Sequence, residues 1–140
     1  MQKSLRITNE LKQVARLTAF IARAMKGSTA PQTVGMQFRL AVEEAVVNCI
    51  LYAYPEETKG EIEIRIDCCR ESLTAVISDA GRPFDPTAGK DPDVNLPLAE
   101  RPVGGLGRFL VKKLMSRVYY ERDNNNRNVL TIIRELNEDA

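Results

Sequence analysis

The pattern of apolar and polar residues along the chain changes period several times. Over residues 61–67 it alternates strictly, with Ile62, Ile64 and Ile66 on one side and charged residues on the other. Strict alternation is typical of a strand that buries one face, so we predict a half-buried β-strand here. Residues 73–78 predict a second strand, joined to the first by a short turn.

Two longer stretches repeat apolar residues at the spacing of an α-helix. Residues 9–25 predict an amphipathic helix, with Asn9 as the expected N-cap and Gly27 as the expected stop. Residues 33–52 predict a second helix, which ends before Pro55. The apolar stripe of the second helix, which should face a sheet, consists of Val42, Ala45, Val46, Cys49, Ile50 and Ala53.

The rest of the chain supplies shorter elements and one long connection. They are a strand at 4–7, a loop at 85–102, a helix at 106–115, and strands at 118–122 and 129–134 that form a hairpin around 124–126. The order β-α-α-β-β-loop-α-β-β disfavours a doubly wound parallel sheet. We predict one domain over residues 1–140, an α/β (α+β) two-layer sandwich with a mostly antiparallel mixed sheet and helices on one face. Because the loop is long, we expect it to act as a lid.

Composition narrows the class of protein. The chain has 140 residues, of which 44% are apolar, with 20 basic and 19 acidic side chains. This composition predicts a folded globular domain. The balanced charge does not indicate a basic surface of the kind that binds nucleic acid or a membrane. We find no apolar stretch of signal-peptide or membrane-spanning character, so we expect a cytoplasmic protein.

The reactive side chains exclude several kinds of chemistry. The chain has no histidine, which removes Ser-His-Asp and Cys-His catalysis and His-ligated zinc. Its three cysteines, Cys49, Cys68 and Cys69, lack CxxC spacing and predict reduced thiols. Any chemistry must therefore use carboxylates, amides, hydroxyls, lysines, backbone groups or a cation held by oxygens.

The second helix carries a carboxylate and an amide one turn apart, Glu44 and Asn48. A solvent-exposed pair is the simpler interpretation. In the functional interpretation, Asn48 gives an oxygen to Mg²⁺ and Glu44 accepts a proton from an attacking hydroxyl. Glu43 should point about 100° away on the helix, nearer the solvent rim, and is the weaker candidate.

Two glycine-containing segments add further candidates. Asp79 and Gly81 follow the strand at 73–78, either as an ordinary turn or as a site where Asp79 accepts the adenine amino proton and Gly81 lets the base approach the backbone. Residues 104–107, Gly-Gly-Leu-Gly, precede a helix and form either a flexible loop end or a phosphate-binding loop. They lack the Gly-Lys-Ser/Thr of a Walker A motif.

The order and spacing of these segments resemble the GHKL ATPases, which include gyrase, heat-shock chaperone, histidine kinase and mismatch-repair ATPases. Glu44-Ala45-Val46-Val47-Asn48 resembles the N-box of that superfamily, residues 79–84 its first glycine box, and residues 104–107 its second. Within it, "PVGGLGRFLVKKLMSRVYYER" and "NVLTIIREL" are most similar to anti-sigma factor serine kinases. The resemblance implies a Bergerat ATP-binding fold.

The resemblance also implies roles for individual residues. Glu44 would be the catalytic base and Asn48 the Mg²⁺ ligand. The residues implied at the nucleotide are Asn48, Asp79, Gly81, Phe84, Gly104, Gly105, Leu106, Gly107 and Thr131. Of these, Asp79 and Gly81 would hold adenine with help from Thr131, and the second glycine box would wrap the phosphates.

Three functions compete. The resemblance implies an ATP- and Mg²⁺-dependent serine kinase, a homodimer, that phosphorylates a small anti-sigma antagonist protein and sequesters a sigma factor. A non-catalytic switch would bind the same nucleotide without needing a base such as Glu44. A protein-interaction module without nucleotide would leave the full set of motifs unexplained.

Overall fold

The computed structural model describes residues 2–55, 58–87 and 111–136. Within these ranges five strands form one sheet in the order β1-β2-β3-β5-β4. The strands are β1 (Gln2–Thr8), β2 (Glu61–Cys68), β3 (Ser72–Asp79), β4 (Arg117–Arg122) and β5 (Asn128–Glu135). All four pairings are antiparallel, which confirms the predicted sheet type.

The helices lie between β1 and β2. Helix α1 (Val14–Ala24) follows a short 3₁₀ turn, and α2 (Gln32–Asn48) continues into a π-helical turn (Cys49–Ala53). Residues 111–114 are helical, whereas the earlier part of the helix predicted at 106–115 lies outside the described residues, as do residues 88–102 of the predicted lid. Among the described helices, none combines the length and the apolar character that a bilayer crossing requires.

Alternation along the strands places the core between the sheet and the two helices. Ile62, Ile64 and Ile66 are buried against the helices, while Arg65 on the opposite face is exposed. Residues on α1 and α2 that complete this core include Leu17, Phe20, Ile21, Phe38, Val42 and Val46. Burying one side chain of this size stabilises the fold by about 1.5–3 kcal/mol. The apolar face of the sheet is therefore most stable when the two helices cover it, which gives two layers.

The start of the first helix differs from the prediction. Asn9 does not cap a helix, because its Nδ2 donates to the Thr58 carbonyl at 2.6 Å and its Oδ1 accepts the Gly60 N–H at 3.0 Å. The amide therefore ties the end of β1 to the segment that enters β2. The predicted stop is confirmed, since Gly27 has φ +86 just beyond α1, a conformation that favours glycine.

The closing hairpin matches the prediction. Strands β4 and β5 pair from Arg117↔Ile133 to Arg122↔Asn128. In the turn, the Asp123 carboxylate accepts the backbone N–H groups of Asn125 and Arg127 at 2.9 and 3.0 Å, and Asn126 has φ 59. Asparagine tolerates this conformation better than most residues.

Candidate functional site

The carboxyl end of α2 meets the end of β3 through the π-helical turn. All six residues of the predicted apolar stripe are buried, so this face of the helix packs on the sheet as expected. The wider π turn directs two backbone carbonyls toward the segment after β3. The Ala53 carbonyl accepts the Arg82 N–H at 2.8 Å, and the Tyr52 carbonyl accepts Arg82 Nε at 2.8 Å. These bonds hold the first glycine segment against the helix end.

Asn48 is buried, with only 3% of its surface exposed. Its side chain lines a narrow cavity together with Thr87, Val111 and Lys112. A buried amide is costly unless its polar atoms are hydrogen-bonded, and an amide that lines a cavity can bond a ligand there. Glu44, one turn earlier, is half-buried.

Glu43 lies on α2 where that helix contacts α1. Its side chain is 21% exposed, accepts a hydrogen bond from the Thr18 hydroxyl, and lies 4.0 Å from Arg39 Nε. This partial exposure is compatible with a position nearer the solvent rim, and the carboxylate there is engaged by Thr18 and Arg39. Glu43 joins α1 to α2, because the close packing of the two helices brings Thr18 over it.

Asp79 ends β3 and is almost completely buried, at 1% exposure. Its Oδ1 accepts the Gly81 N–H at 2.8 Å and Asn128 Nδ2 at 2.9 Å. Gly81 lies so close to the π turn that an added Cβ would come within 2.3 Å of the Ala53 oxygen. The structure thus brings a fixed carboxylate and a glycine together at the end of β3, and the π turn fills the space that a side chain at residue 81 would need.

Two residues near Asp79, Cys49 and Tyr54, have raised pKa values. Burial, followed by the negative charge of Asp79, raises the pKa of the Cys49 thiol well above its usual range. Burial also raises the pKa of Tyr54, whose hydroxyl donates to the Glu61 carbonyl at 2.8 Å and accepts the Ala80 N–H at 3.0 Å. Both groups therefore stay neutral at physiological pH, so they add polar contacts to the site without adding charge.

Sequence reasoning missed Asn128, the first residue of β5. It is 4% exposed and hydrogen-bonds both Asp79 and the Arg82 carbonyl through Nδ2, at 2.9 and 2.8 Å. An asparagine beside an Asn-rich turn is naturally assigned to the turn, and no periodic signal marks it. Only the register, which pairs Asp79 with Asn128 across two strands, identifies it.

The register also corrects the role predicted for Thr131. Thr131 pairs with Val76, whereas Asn128 pairs with Asp79. Directly paired residues share a face and successive residues alternate, so Thr131 lies on the opposite face of the sheet from Asp79. Thr131 therefore does not lie beside Asp79, and Asn128 is the residue of β5 that bonds it.

The remaining predicted positions divide into two groups. Phe84 lies in the described chain, with its ring centroid 5.7 Å from that of Tyr52 and its N–H 3.3 Å from Asn128 Oδ1. Gly104, Gly105, Leu106 and Gly107 lie outside the described residues.

No group of three or more acidic or cysteine side chains that could hold a metal occurs in the described part of the chain. A cation here would rely on the Asn48 amide, a hard oxygen ligand of the kind that Mg²⁺ accepts.

Comparisons with known proteins agree with this geometry. A family model described as the histidine kinase-like ATPase domain matches residues 7–134. A serine-protein kinase RsbW from Staphylococcus aureus is 37% identical over 87 residues, covering 57% of this chain and 54% of that protein. One from Bacillus velezensis is 33% identical over 85 residues, covering 57% and 52%. The chain thus spans about half the length of the curated relatives it matches.

A solved structure supports the fold independently of sequence. It contains the RsbU and RsbW domains of a Mycobacterium tuberculosis protein and superposes with a TM-score of 0.64. The match covers 96% of this chain and 32% of that one, at 14% sequence identity. At this identity the likeness establishes the architecture alone.

Proposed function

This chain belongs to the histidine kinase-like ATPase domain family, and from that premise we propose that it is an ATP-dependent anti-sigma serine kinase. It would phosphorylate a small anti-sigma antagonist protein and sequester a sigma factor, acting in the cytoplasm as a homodimer. The similarity to curated serine-protein kinases supports this class of activity. The observation that carries the proposal is the buried Asp79 carboxylate, which accepts the Gly81 N–H at the end of β3.

Asp79 and Gly81 form the proposed adenine end of the site. The Asp79 carboxylate can accept a hydrogen bond from the exocyclic amine of adenine. The main chain of Gly81, whose N–H bonds the same carboxylate, would lie beside the base. Phe84 and Tyr52 contribute apolar surface nearby, with their rings 5.7 Å apart. The second glycine box, residues 104–107, is proposed to hold the phosphates.

Asn48 forms the proposed metal end. Its side chain is buried and lines a cavity, which fits a residue that gives its oxygen to Mg²⁺. When bound, the metal would neutralise phosphate charge. Lys112 lines the same cavity and can add positive charge there.

Glu44 is proposed to act on the incoming serine. Its carboxylate would accept the hydroxyl proton as the serine oxygen bonds to the γ-phosphorus and the bond from that phosphorus to the bridging oxygen breaks, which releases ADP. Its half-buried position one turn from Asn48 is consistent with this role. Glu43 is not a competitor, since Thr18 and Arg39 engage it.

Two measurements test the proposal. Mass spectrometry should detect a phosphoserine on a co-purified antagonist after incubation with this protein and Mg-ATP. Calorimetry should detect ATP binding to the wild type and a large loss in Asp79→Asn. The asparagine oxygen can keep the bonds from Gly81 and Asn128, so this variant should remain folded. Its amide NH2 would then face the amino group of adenine, and two donors cannot hydrogen-bond each other. Absence of ATP binding to folded wild type would overturn the proposal, and binding without transfer to a genuine partner would favour the non-catalytic switch.

A further inference from the structure

A cavity of about 360 Å³ lies where the beginning of β1, the carboxyl end of α1 and the turn between β2 and β3 meet. The reactive and cationic side chains that line it are Lys3, Lys26, Arg70, Cys68 and Cys69. Of the described residues around this cavity, none is acidic. Strand β3 runs from Ser72, at this end of the sheet, to Asp79, about 23 Å away. The cavity is therefore separate from the proposed nucleotide site.

Local hydrogen bonds hold the two loops that form this cavity. Gly27 ends α1 with φ +86, and the Ser28 hydroxyl then accepts the Ala30 N–H at 3.1 Å. In the turn between β2 and β3, the Cys69 N–H donates to the Ser72 carbonyl at 3.0 Å. The end of α1 and the thiols of the turn are thus fixed on two sides of one space.

Three cations from separate parts of the chain surround that space, and all three are exposed. Lys3 lies on β1 and its Nζ donates to a carbonyl in the last turn of α1 at 3.4 Å. Lys26 follows α1, and Arg70 lies in the turn between β2 and β3. Asp67 is close in sequence, but alternation along β2 places it on the other face of the sheet. The cavity should therefore attract an anion.

The two thiols of the cavity differ in accessibility. Cys69 is exposed, and its Sγ lies 3.6 Å from the carbonyl oxygen and 3.7 Å from the hydroxyl of Ser72. Cys68 is partly buried, and burial raises the pKa of its thiol, which reduces its thiolate. Cysteines that react with disulfides are partially exposed and lie in electropositive surroundings. Cys69 meets both conditions.

We propose that this cavity is an S-thiolation site, in which the cations bind the carboxylates of a low-molecular-weight disulfide and Cys69 forms a mixed disulfide with it. The Cys69 thiol gives its proton to water, and the thiolate bonds to one sulfur of the ligand. The bond between the two ligand sulfurs breaks, and the departing thiolate takes up a proton from water. Cys69 is oxidised and the departing half of the ligand is reduced. The inference does not depend on the proposed function.

The first experiment locates the adduct. The full chain is incubated with glutathione disulfide, which carries carboxylates and a net negative charge, and peptide mass spectrometry identifies the modified residue. The adduct should form on Cys69 in the wild type and in Cys68→Ser, and should be lost in Cys69→Ser. An adduct mainly on Cys68, or a Cys68–Cys69 disulfide without an adduct, would overturn the inference.

The second experiment tests whether the folded cavity selects an anionic reagent. Rates of Cys69 modification by glutathione disulfide and by neutral 2-hydroxyethyl disulfide are measured on folded protein and on protein unfolded in urea. Arg70 stays beside Cys69 in the unfolded chain, whereas Lys3 and Lys26 approach it only on folding. The preference for glutathione disulfide should therefore be about tenfold greater in folded protein at low salt. In about 1 M salt, where the screening length is about 3 Å, most of this difference should disappear.

A matched pair of lysine variants separates the cavity from the general surface charge. Lys26→Gln should lower the preference of folded protein for glutathione disulfide severalfold. Lys12→Gln should leave it unchanged, because Lys12 is an exposed lysine before the other end of α1, about 16 Å or more from Lys26 and beyond the screening length of about 10 Å in 0.1 M salt. Equal preference in folded and unfolded protein, or equal effects of the two substitutions, would overturn the inference.

Discussion

Gly81 lies directly against the backbone of Ala53, so that a Cβ on residue 81 would come within 2.3 Å of the Ala53 oxygen and 2.8 Å of its carbonyl carbon. The same carbonyl accepts the Arg82 N–H at 2.8 Å. Because the obstructing atoms belong to the main chain, a larger residue cannot be accommodated by rotating a side chain. This backbone contact between Gly81 and Ala53 fixes the distance between the π-helical turn and the first glycine box.

We predict that Gly81→Ala will weaken ATP binding and lower stability by about 1–3 kcal/mol, the usual cost of inserting atoms into a packed site. Thermal unfolding and calorimetry measure the two effects. Gly35→Ala in α2 is the matched control, since its Cβ would meet only the mobile end of the Met25 side chain at 2.9 Å. Normal ATP affinity in Gly81→Ala would contradict the role assigned to this contact.

We predict that Glu44→Gln will bind Mg-ATP normally but lose transfer to the antagonist by about 10²–10⁴-fold, the usual contribution of a general base. Both ATP affinity and phosphate transfer must be measured on each variant. Glu43→Gln is the control, because glutamine can still accept the Thr18 hydroxyl and so keep α1 on α2. Full transfer by Glu44→Gln would mean that another group accepts the proton.

We predict that Asn48→Ala will abolish the magnesium dependence of ATP binding, whereas Asn48→Asp will retain it because a carboxylate also supplies a hard oxygen. The measurement is ATP affinity with Mg²⁺ and with a chelator. Magnesium dependence that persists in Asn48→Ala would place the metal elsewhere.

We predict that the three thiols will react with an alkylating reagent in the order Cys69, Cys68, Cys49. Cys69 is exposed, while burial raises the pKa of Cys68 and, much more strongly, that of Cys49, which reduces the reactive thiolate. Peptide mass spectrometry after timed alkylation gives the order, and alkylation in denaturant provides the reference. Rapid labelling of Cys49 in native protein would be inconsistent with its buried position.

We predict that folding stability will fall with alkaline pH partly through Cys49. Its pKa is higher in the folded than in the unfolded chain, so the contribution is complete below the unfolded value and is lost as pH rises toward the folded value. Over that window the stability of wild type should fall relative to Cys49→Ala by about 1.4 kcal/mol per pH unit. Denaturant unfolding at a series of pH values measures the slope, and parallel curves would refute the prediction.

Much of the fold could be predicted because it follows from local patterns. Alternating Ile62, Ile64 and Ile66 predicted β2, and the six-residue stripe predicted the buried face of α2 and its π turn. Residues 124–126 predicted the hairpin turn, where Asn126 has φ 59. The errors occur where a polar side chain hydrogen-bonds a residue that is far away in the sequence. Asn9 has the residue type of a helix cap but bonds to Thr58 and Gly60, because those groups are brought beside it by pairing of β1 with β2.

The candidate site divides in the same way. The sequence by itself determined the residue types and the spacing of Glu44, Asn48, Asp79 and Gly81, because motifs within one helix or one turn are set by local geometry. Tertiary structure alone decided that Asn128 rather than Thr131 lies beside Asp79, and that Glu43 is engaged by Thr18. Strand register and helix packing bring together residues far apart in the chain, and a shift of one residue in register would exchange the two faces of β5.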